Sequence, residues 1–266
     1  MSYTQFIEPS LTQASQIALK YAGNVKGTTK PEDNNQVLTQ ADLDIGKFLI
    51  EQIEGKYANH NIIDEEAGVI NKNSEYTWVV DPIDGTSNFA NGSPMYGIML
   101  GLMKSNEPIA SGIALPFFGE IILAEKSKGA FCNGKKLQLN SETDTNKLLV
   151  AYGIDGHRED PEFTRKECEL LSEILLNIRN LRVSNSVFDT AMVLKGSYGA
   201  FLCQTSKIWD NVAQQIIIEE AGGKYTDING EKQDYSQGLI NPERNFSFLA
   251  ASPTVHSRLL EIIKKY

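Results

Sequence analysis

Residues 78–86 read Trp-Val-Val-Asp-Pro-Ile-Asp-Gly-Thr, an apolar run that ends in two closely spaced carboxylates. The apolar residues predict a buried strand with Asp81 at its carboxyl end. Pro82 disfavours helix at the residue before it and removes one backbone donor, so the chain is expected to leave the strand here. Gly85 permits an unusual backbone angle or the close approach of a ligand. Thr86 opens a polar run of residues suited to capping a helix.

The two carboxylates of this stretch suggest a cation site. Asp81 and Asp84 repel each other unless a cation lies between them. Mg²⁺ prefers oxygen ligands and often bridges protein carboxylates to a substrate phosphate. Backbone N–H groups at Gly85 and Thr86, at the start of a helix, would receive an anion such as a phosphate oxygen. The spacing fits equally a plain turn with solvated aspartates, and the spacing alone leaves both interpretations open.

Two further acidic positions are candidates for the same site. The triplet Asp64-Glu65-Glu66 follows the apolar pair Ile62-Ile63, at a second predicted strand end. Asp210 follows Trp209 at the predicted start of a helix, where the helix dipole stabilises a carboxylate. Taken one at a time, a solvated acidic loop and an ordinary first-turn charge explain them equally well.

The first half of the chain reads as helices followed by an antiparallel sheet. Apolar spacing predicts a helix over 7–21 and a second from about Ala41–Asp42 to Gly55, and the polar segment 27–36 is predicted to be a loop. Strands in close succession without intervening helices favour an antiparallel sheet. Asn133-Gly134 is a two-residue hairpin signal. The predicted strands cover 61–64, 77–81, 97–103, 108–115 and 120–125.

The second half alternates strands and helices, which predicts an α/β arrangement. The change of rhythm places a boundary near 141–146, and hence an N-terminal α+β half of residues 1–145 and a C-terminal α/β half of residues 146–266. The predicted strands cover 148–152, 181–183, 199–202 and 247–251. The predicted helices cover 164–178, 188–195, 209–220 and 254–266.

Composition bounds the function. The chain has 266 residues, enough for a substantial core, and its formal net charge of −9 argues against sequence-independent nucleic-acid binding. The three cysteines show no CxxC spacing and the three histidines lie far apart, which argues against a disulfide framework and a zinc site. No signal peptide and no membrane-length apolar run is seen. A soluble cytoplasmic protein with no membrane or nucleic-acid partner is expected.

Four sequence elements together resemble those of the inositol-monophosphatase family. The stretch 81–89 resembles its first signature, and 209–213 followed by 220–223 resembles its second. Residues 64–66 match the family's Gly-Glu-Glu element with Asp in place of Gly, and 38–42 match its early Val-Thr-x-x-Asp element. The resemblance implies a layered αβαβα sugar-phosphatase fold of the α+β class, and a Mg²⁺-dependent, lithium-sensitive phosphomonoesterase that forms a homodimer.

The resemblance also implies a role for each site residue. Glu65, Asp81 and the carbonyl of Ile83 would hold one Mg²⁺, and Asp81, Asp84 and Asp210 a second. A third, weaker ion would lie near Glu65, giving two or three ions in all. The cations must screen Asp84 and Asp210 from a bound phosphate.

The substrate contacts and the catalytic residues follow from the same resemblance. The backbone N–H groups of Gly85 and Thr86 would bind phosphate, beside Asp84 and Asp210. Thr86, backed by Asp42, would orient and deprotonate a water bound to the metal, so Asp42, Glu65 and Thr86 are the expected catalytic group. The leaving group would be the alkoxide of a small phosphate monoester.

The sequence leaves the substrate open. Relatives that favour inositol phosphates carry a glutamate about six residues before Trp209, where this chain has Cys203 beside Gln204, and their Gly-Thr/Ser-Ala element corresponds only loosely to residues 185–187. Histidinol phosphate, fructose 1,6-bisphosphate and adenosine 3′,5′-bisphosphate are alternative substrates in the same fold. A regulatory or RNA-associated protein that keeps the scaffold is a second alternative. The basic residues considered for a second phosphate or a metal-side contact are Lys30, Arg158, Arg179 and Arg182.

Overall fold

The computed structural model describes residues 2–24, 26–30 and 33–265, with side chains except at 30 and 33–36. Within these residues seven α-helices are present, and all the helices expected from apolar spacing are among them, with ends shifted by a few residues. The α-helices are α1 Thr4–Tyr21, α2 Gln40–Lys56, α3 Thr86–Ala90, α4 Pro161–Leu175, α5 Val187–Leu194, α6 Ile208–Glu220 and α7 Pro253–Ile263.

The strands of the described residues form a two-stranded, an eight-stranded and a five-stranded sheet. In chain order they are β1 Thr28–Lys30, β2 Asp33–Leu38, β3 Asn61–Asp64, β4 Gly68–Ile70, β5 Tyr76–Asp84, β6 Gly97–Lys104, β7 Glu107–Leu115, β8 Glu120–Glu125, β9 Gly129–Cys132, β10 Lys135–Lys136, β11 Leu149–Gly153, β12 Asn180–Arg182, β13 Ala200–Ser206, β14 Lys224–Thr226 and β15 Phe246–Ala251. The large sheet has the order β10-β9-β8-β7-β6-β5-β3-β4, and the five-stranded sheet has the order β12-β11-β13-β15-β14.

The alternation of side chains along the strands produces the layers. Successive residues of a strand face opposite sides of the sheet. Trp78 and Val80 of β5 therefore pack with α1 and α2 on one face of the large sheet, where Ile7 and Leu49 are fully buried. Val79, between them, packs on the other face with residues of α6. The apolar run before Asp81 therefore encodes a strand that is buried on both faces.

Helices α5 and α6 form the middle layer between the two sheets. Ala191 of α5 and Ile216 of α6 share one buried cluster with Met99 of the large sheet and Phe201 of the small one. The outer face of the small sheet packs against α4 and α7, in a cluster that includes Leu202. Helices, sheet, helices, sheet, helices is the layered αβαβα arrangement, so the predicted fold is confirmed.

Three local predictions are wrong. Residues 28–30 and 33–38 form the antiparallel pair β1 and β2, with Thr29 opposite Val37, where a loop was predicted over 27–36; the polar residues concealed the strand pattern because they show no alternating apolar face. Pro31, part of that prediction, lies outside the described residues. The large sheet is not wholly antiparallel, because β3 pairs with β5 in parallel. The short strands β4 and β14 were not predicted, since three residues are too few to show a period.

No helix among the described residues is long and apolar enough to cross a membrane. Three expectations stay predictions: the division into residues 1–145 and 146–266, the homodimer and the cytoplasmic location.

The packing of α1 on the large sheet depends on a residue without a side chain. A Cβ at Gly112 of β7 would lie 2.5 Å from Cγ2 of Ile7 and 2.6 Å from Cδ1 of Leu11. Both neighbours are fully buried. We expect Gly112→Ala to lower the free energy of unfolding by about 1–3 kcal/mol, because the overpacked core has no room to yield.

Urea denaturation followed by circular dichroism would measure this change. Gly55→Ala is the matched control, since a Cβ there meets nothing within 4 Å and the residue lies in α2. That variant should be neutral or gain up to about 1 kcal/mol. Equal stability of Gly112→Ala and wild type would contradict the close approach of α1 to β7.

Candidate active site

Asp81 and Asp84 both lie on β5. The prediction that the strand ends at Asp81 is wrong, because β5 continues to Asp84. Its pairing with β6 places Asp81 opposite Met99, and the register then shifts before Asp84 pairs with Gly97. Pro82 offers no N–H to a neighbouring strand, and a bulge is a place where a strand tolerates that loss. The irregularity turns both carboxylates towards one cleft.

Asp210 reaches the same cleft from the first turn of α6, as predicted. One carboxylate oxygen each from Asp81, Asp84 and Asp210 lies within 4.8 Å of the other two. The backbone N–H of Lys207 donates to Oδ2 of Asp210 at 2.5 Å. That hydrogen bond fixes the side chain at the amino end of the helix, where the dipole stabilises a negative charge.

A backbone N–H from the middle layer holds Asp84. Val187, at the start of α5, donates to Oδ1 of Asp84 at 2.9 Å. Two residues further on, the buried carboxylate of Asp189 accepts the N–H of Ser184 at 3.0 Å. Val187, the last residue of the loosely matching element 185–187, therefore contributes through its main chain. Asp189 carried no signal in the sequence beyond being an acidic residue in an apolar helix.

Gly85 makes the turn between β5 and α3. Its φ of 85° and ψ of 38° place it in the left-handed region, which favours glycine. A Cβ there would lie 2.7 Å from Cβ of Ser186 and 3.0 Å from the carbonyl oxygen of Met95. The position thus requires glycine both for its angle and for space. Thr86 follows in the first turn of α3, where N–H groups have no partner within a helix.

Asp42 lies behind Thr86 and does not line the cleft itself. It is fully buried in the first turn of α2, where Oδ2 accepts the backbone N–H of Thr39 at 2.8 Å. The hydroxyl of Thr86 lies 3.1 Å from Oδ1 of Asp42 and 2.7 Å from the carbonyl oxygen of Ile83. The helix cap at Thr39 therefore also fixes the carboxylate that meets Thr86.

The predicted site residues share one cleft of about 420 Å³, apart from Asp42 behind its wall. Glu65 enters it directly after β3, where its N–H donates to the carbonyl of Val80 at 3.2 Å, although it is not part of the group of three oxygens. The predicted residues that line the cleft are Glu65, Asp81, Ile83, Asp84, Gly85, Thr86 and Asp210.

The electrostatics of the cleft are dominated by lost hydration and by like charges. Burial raises the pKa of Asp81 well above its usual range, and Glu65, Asp84, Asp210 and Asp42 raise it further. The strongest influences on this carboxyl group after burial are thus four other carboxylates.

The neighbouring carboxylates are shifted in the same direction. Loss of hydration raises the pKa of Asp84 far above its usual range; Asp210 and Asp189 add to the shift, and the Val187 N–H opposes it. Loss of hydration also raises the pKa of Asp210 to about 6, against the N–H of Lys207. Three acids that all resist ionisation in one place require a compensating positive charge.

A divalent cation fits this donor set. Oδ1 of Asp81 is buried and has no hydrogen-bond donor in the described part of the chain. A buried carboxylate oxygen is costly unless it is paired or coordinates a metal. The surrounding donors are carboxylate and carbonyl oxygens, which suit a hard ion such as Mg²⁺ and not zinc or copper.

The positions considered for sugar contacts separate into two faces. Cys203 lines the cleft, whereas Gln204 donates from Nε2 to the hydroxyl of Tyr152 at 2.6 Å and does not line it. Adjacent residues of β13 face opposite sides of the sheet, which explains the difference. Gln204 is therefore not placed to contact a substrate hydroxyl.

The basic residues considered for a second phosphate do not gather at the cleft. Arg158, Arg179 and Arg182 are exposed, and none of them lines it. The side chain of Lys30 lies outside the described side chains. The structure instead adds four charged or titratable residues to the lining: Asp155, His157, Glu159 and Lys207. No spacing in the sequence marked them, because their strands and loops meet only in the folded sheet.

The carboxylate group predicts opposite effects of one substitution with and without metal. In EDTA, Asp81→Asn should raise the free energy of unfolding by about 1–3 kcal/mol, because it removes a buried charge from like neighbours. In MgCl₂ wild type should gain stability and the variant little, since the variant loses a ligand. Differential scanning calorimetry under both conditions measures the two effects.

The exposed carboxylate of Glu169 provides the control for this measurement. Glu169→Gln should respond to EDTA and MgCl₂ as wild type does. If MgCl₂ changed the stability of wild type and of Asp81→Asn by the same amount, a cation at this group would be ruled out.

Known proteins are similar to this one over nearly the whole chain. The model of the inositol monophosphatase family matches residues 2–265. The chain is 31% identical over 237 residues to inositol monophosphatase 1 of Bos taurus, covering 86% of this chain and 84% of that one. It is 28% identical over 257 residues to the putative Nus factor SuhB of Neisseria meningitidis serogroup B, covering 96% and 95%.

Solved structures share the fold. An IMPase/NADP phosphatase complexed with Mg²⁺ and phosphate superposes with a TM-score of 0.83 at 20% identity, over 97% of this chain and 93% of that chain. Together with the family match over residues 2–265 and the 31% identity to the bovine enzyme, this shows that the chain belongs to the inositol monophosphatase family.

Proposed function

We propose that this protein is a Mg²⁺-dependent phosphatase that hydrolyses a small phosphate monoester, such as an inositol monophosphate or a related sugar or polyol phosphate. The observation that carries the proposal is the group of three carboxylate oxygens within 4.8 Å, at a cleft that also contains the Gly85 turn. Carboxylates so close together need cations, and cations so held bind phosphate oxygens. Membership of a phosphatase family supports the same activity.

The residues divide into two ligand sets in this proposal. Glu65, Asp81 and the carbonyl of Ile83 would hold one Mg²⁺, and Asp81, Asp84 and Asp210 a second, with room for a third ion beside Glu65. Asp81 belongs to both sets, which agrees with its central place among the carboxylates. Bound Mg²⁺ supplies Lewis-acid stabilisation of the phosphate and makes a water molecule more acidic.

The chain itself positions the phosphate. The N–H groups of Gly85 and Thr86, in the turn that only glycine can make, would donate to phosphate oxygens. Asp84 and Asp210 would lie on the opposite side of the phosphate, with their charge screened. Their own orientation is fixed by the N–H groups of Val187 and Lys207.

Thr86 and Asp42 would orient the attacking water and move its proton. The Thr86 hydroxyl has one hydrogen to donate, to Asp42 or to the carbonyl of Ile83. When the hydroxyl donates inward, its outward lone pair accepts a hydrogen bond from a water in the cleft. Burial raises the pKa of Asp42 to about 6, so this carboxylate takes up a proton more readily than an exposed aspartate.

This arrangement predicts that the hydroxyl of Thr86 matters and its methyl group does not. Thr86→Ala should lower kcat for phosphate release about 10²–10⁴-fold, the usual contribution of a positioned proton acceptor. Thr86→Ser keeps the hydroxyl and should stay within about tenfold of wild type. Asp42→Asn should lower kcat while leaving Mg²⁺ binding intact. Equal kcat for the alanine and serine variants would remove Thr86 from the mechanism.

The activity itself is tested by phosphate release across inositol, sugar, histidinol and nucleotide phosphates. We expect release from at least one monoester with MgCl₂, none in EDTA, and inhibition on titration with LiCl. Asp210→Ala should lower kcat to near background, because a ligand of the second ion is lost. Near wild-type turnover by Asp81→Ala or Asp210→Ala would overturn the mechanism.

A second candidate function is regulatory, as a scaffold that binds transcription machinery. The similarity to a putative Nus factor over 96% of this chain favours it. The net charge of −9 argues against direct binding to nucleic acid, so a protein partner would be expected. An Asp84→Ala variant that loses hydrolysis yet keeps all cellular function would favour this candidate over the enzyme.

A further inference from the structure

One side chain ties the loop after β11 to the cleft. Asn185 has a φ of 54°, and its Oδ1 accepts the N–H of Ile154 at 2.8 Å. Its Nδ2 donates to the carbonyl of Ile154 at 3.0 Å and to Oδ1 of Asp155 at 2.8 Å. The side chain thus acts as a clamp with three hydrogen bonds. Asp155 is exposed and lines the cleft, held there by that clamp.

Asp155 lies just beyond the carboxyl end of β11 in the five-stranded sheet, where the neighbouring parallel strand β13 leads to Asp210. β11 ends at Gly153, which pairs in parallel with Cys203 of β13, and a Cβ on Gly153 would lie 3.1 Å from Sγ of Cys203. Burial raises the pKa of the Cys203 thiol, and both Asp210 and Asp155 raise it further, so both carboxylates are near enough to act on the thiol. Ligands bind at the carboxyl ends of parallel strands.

The Cys203 thiol is neutral and therefore offers a ligand in the cleft no charge. Cys203 donates to the carbonyl of Thr205 at 2.9 Å, and its raised pKa keeps it protonated. Asp155, a neighbour of this thiol that lines the cleft, carries the charge that the thiol lacks.

The buried Glu167 and the partly exposed His157 support the loop after β11 from α4. Oε2 of Glu167, which is fully buried in α4, lies 3.6 Å from Nε2 of His157, and neither carboxylate oxygen has a hydrogen-bond donor in the described residues. Burial raises the pKa of Glu167 to about 7, with His157 opposing the rise and Asp155 adding to it. The glutamate holds the imidazole at the cleft wall beside Asp155.

The positive charge at the cleft is already engaged. Lys207 lines it, but its Nζ donates to the carbonyl of Glu243 at 2.5 Å and to Oδ1 of Asn245 at 2.9 Å. No arginine of the described residues lines the cleft. The loop contributes two carboxylates, Asp155 and Glu159. Away from the cation site the wall is therefore acidic.

We infer that Asp155 is the specificity-determining residue of the cleft, and that it selects phosphate monoesters whose alcohol part presents hydrogen-bond donors in place of a second phosphate. A carboxylate accepts hydrogen bonds from hydroxyl or ammonium groups and repels an anion, so one residue provides both the attraction and the rejection. This inference rests on the proposed phosphatase activity and narrows its substrates.

The test compares wild type with Asp155→Asn, which removes the charge and keeps an acceptor for the Asn185 clamp. KM and kcat for phosphate release are measured with MgCl₂ on myo-inositol 1-phosphate, histidinol phosphate and fructose 1,6-bisphosphate. Glu162→Gln, which removes an exposed carboxylate that does not line the cleft, is the matched control. Because Asp155 is exposed, the variant should fold, and its thermal midpoint checks this.

We expect kcat/KM of Asp155→Asn to fall about tenfold for the inositol ester, because the variant loses a hydrogen bond to a charged group. The fall should be larger for the histidinol ester, which carries an ammonium group. Both changes should come mainly from a higher KM. The bisphosphate value should be unchanged or rise. Glu162→Gln should match wild type on all three. The same factor on all three substrates, or no change, would overturn the inference.

The proposed function and this inference fail separately. If wild type releases phosphate from none of a full panel of monoesters, the phosphatase proposal fails. Calorimetric titration of the same three compounds into wild type and Asp155→Asn then still decides whether Asp155 discriminates between them. Identical dissociation constants for the two proteins on every compound would overturn the role of Asp155.

Discussion

Mutual repulsion among closely spaced carboxylates, one of them buried, is the constraint on which the rest of this structure depends. Asp81, Asp84 and Asp210 bring one oxygen each to a common point, and lost hydration raises the pKa of all three. Such a group is unfavourable alone and favourable around a cation, because the attraction of each carboxylate to the cation outweighs the repulsion between the carboxylates. The carboxylate group lowers the stability of the free protein, and binding of a cation would raise it.

The fold supplies the rigidity that holds these groups together against their repulsion. β5 is buried on both faces, so the bulge at Pro82 cannot relax away from the cleft. Asp210 is hydrogen-bonded at the amino end of α6, and Asp84 receives an N–H from α5. Helices α5 and α6 are the middle layer between two sheets, which explains why residues far apart in sequence meet here with fixed geometry.

The cleft has two chemically distinct ends. One end gathers carboxylates for cations beside the glycine turn, and this end is common to the reaction whatever the alcohol. The other end is built by the loop after β11, clamped by Asn185 and supported by the buried Glu167. Its acidity comes from different elements than the cation site, so the two can vary independently. Under the proposed function, reaction and selectivity would thus depend on different residues of one cavity.

Much of the fold could be predicted from the sequence because the signals are local. Helix α2 begins within two residues of its predicted start, since Thr39 and Asp42 form a helix cap, and strands β3 and β8 have their predicted bounds. The hairpin at β1 and β2 was missed because it lacks an apolar face, and β4 and β14 because they are short. The bulge was missed because proline usually ends a strand.

By itself the sequence determined the family resemblance, and through it the expected layered fold class and the expected carboxylate set. Helix and strand positions could be predicted as well, because strand ends, helix caps and the Gly85 turn are written in neighbouring residues. Only the tertiary structure decided which residues meet across the sheets: Val187 with Asp84, Asp155 with the wall of the cleft, Gln204 away from it. Those contacts join distant segments through strand register and layer packing, and neither property is encoded at any single position.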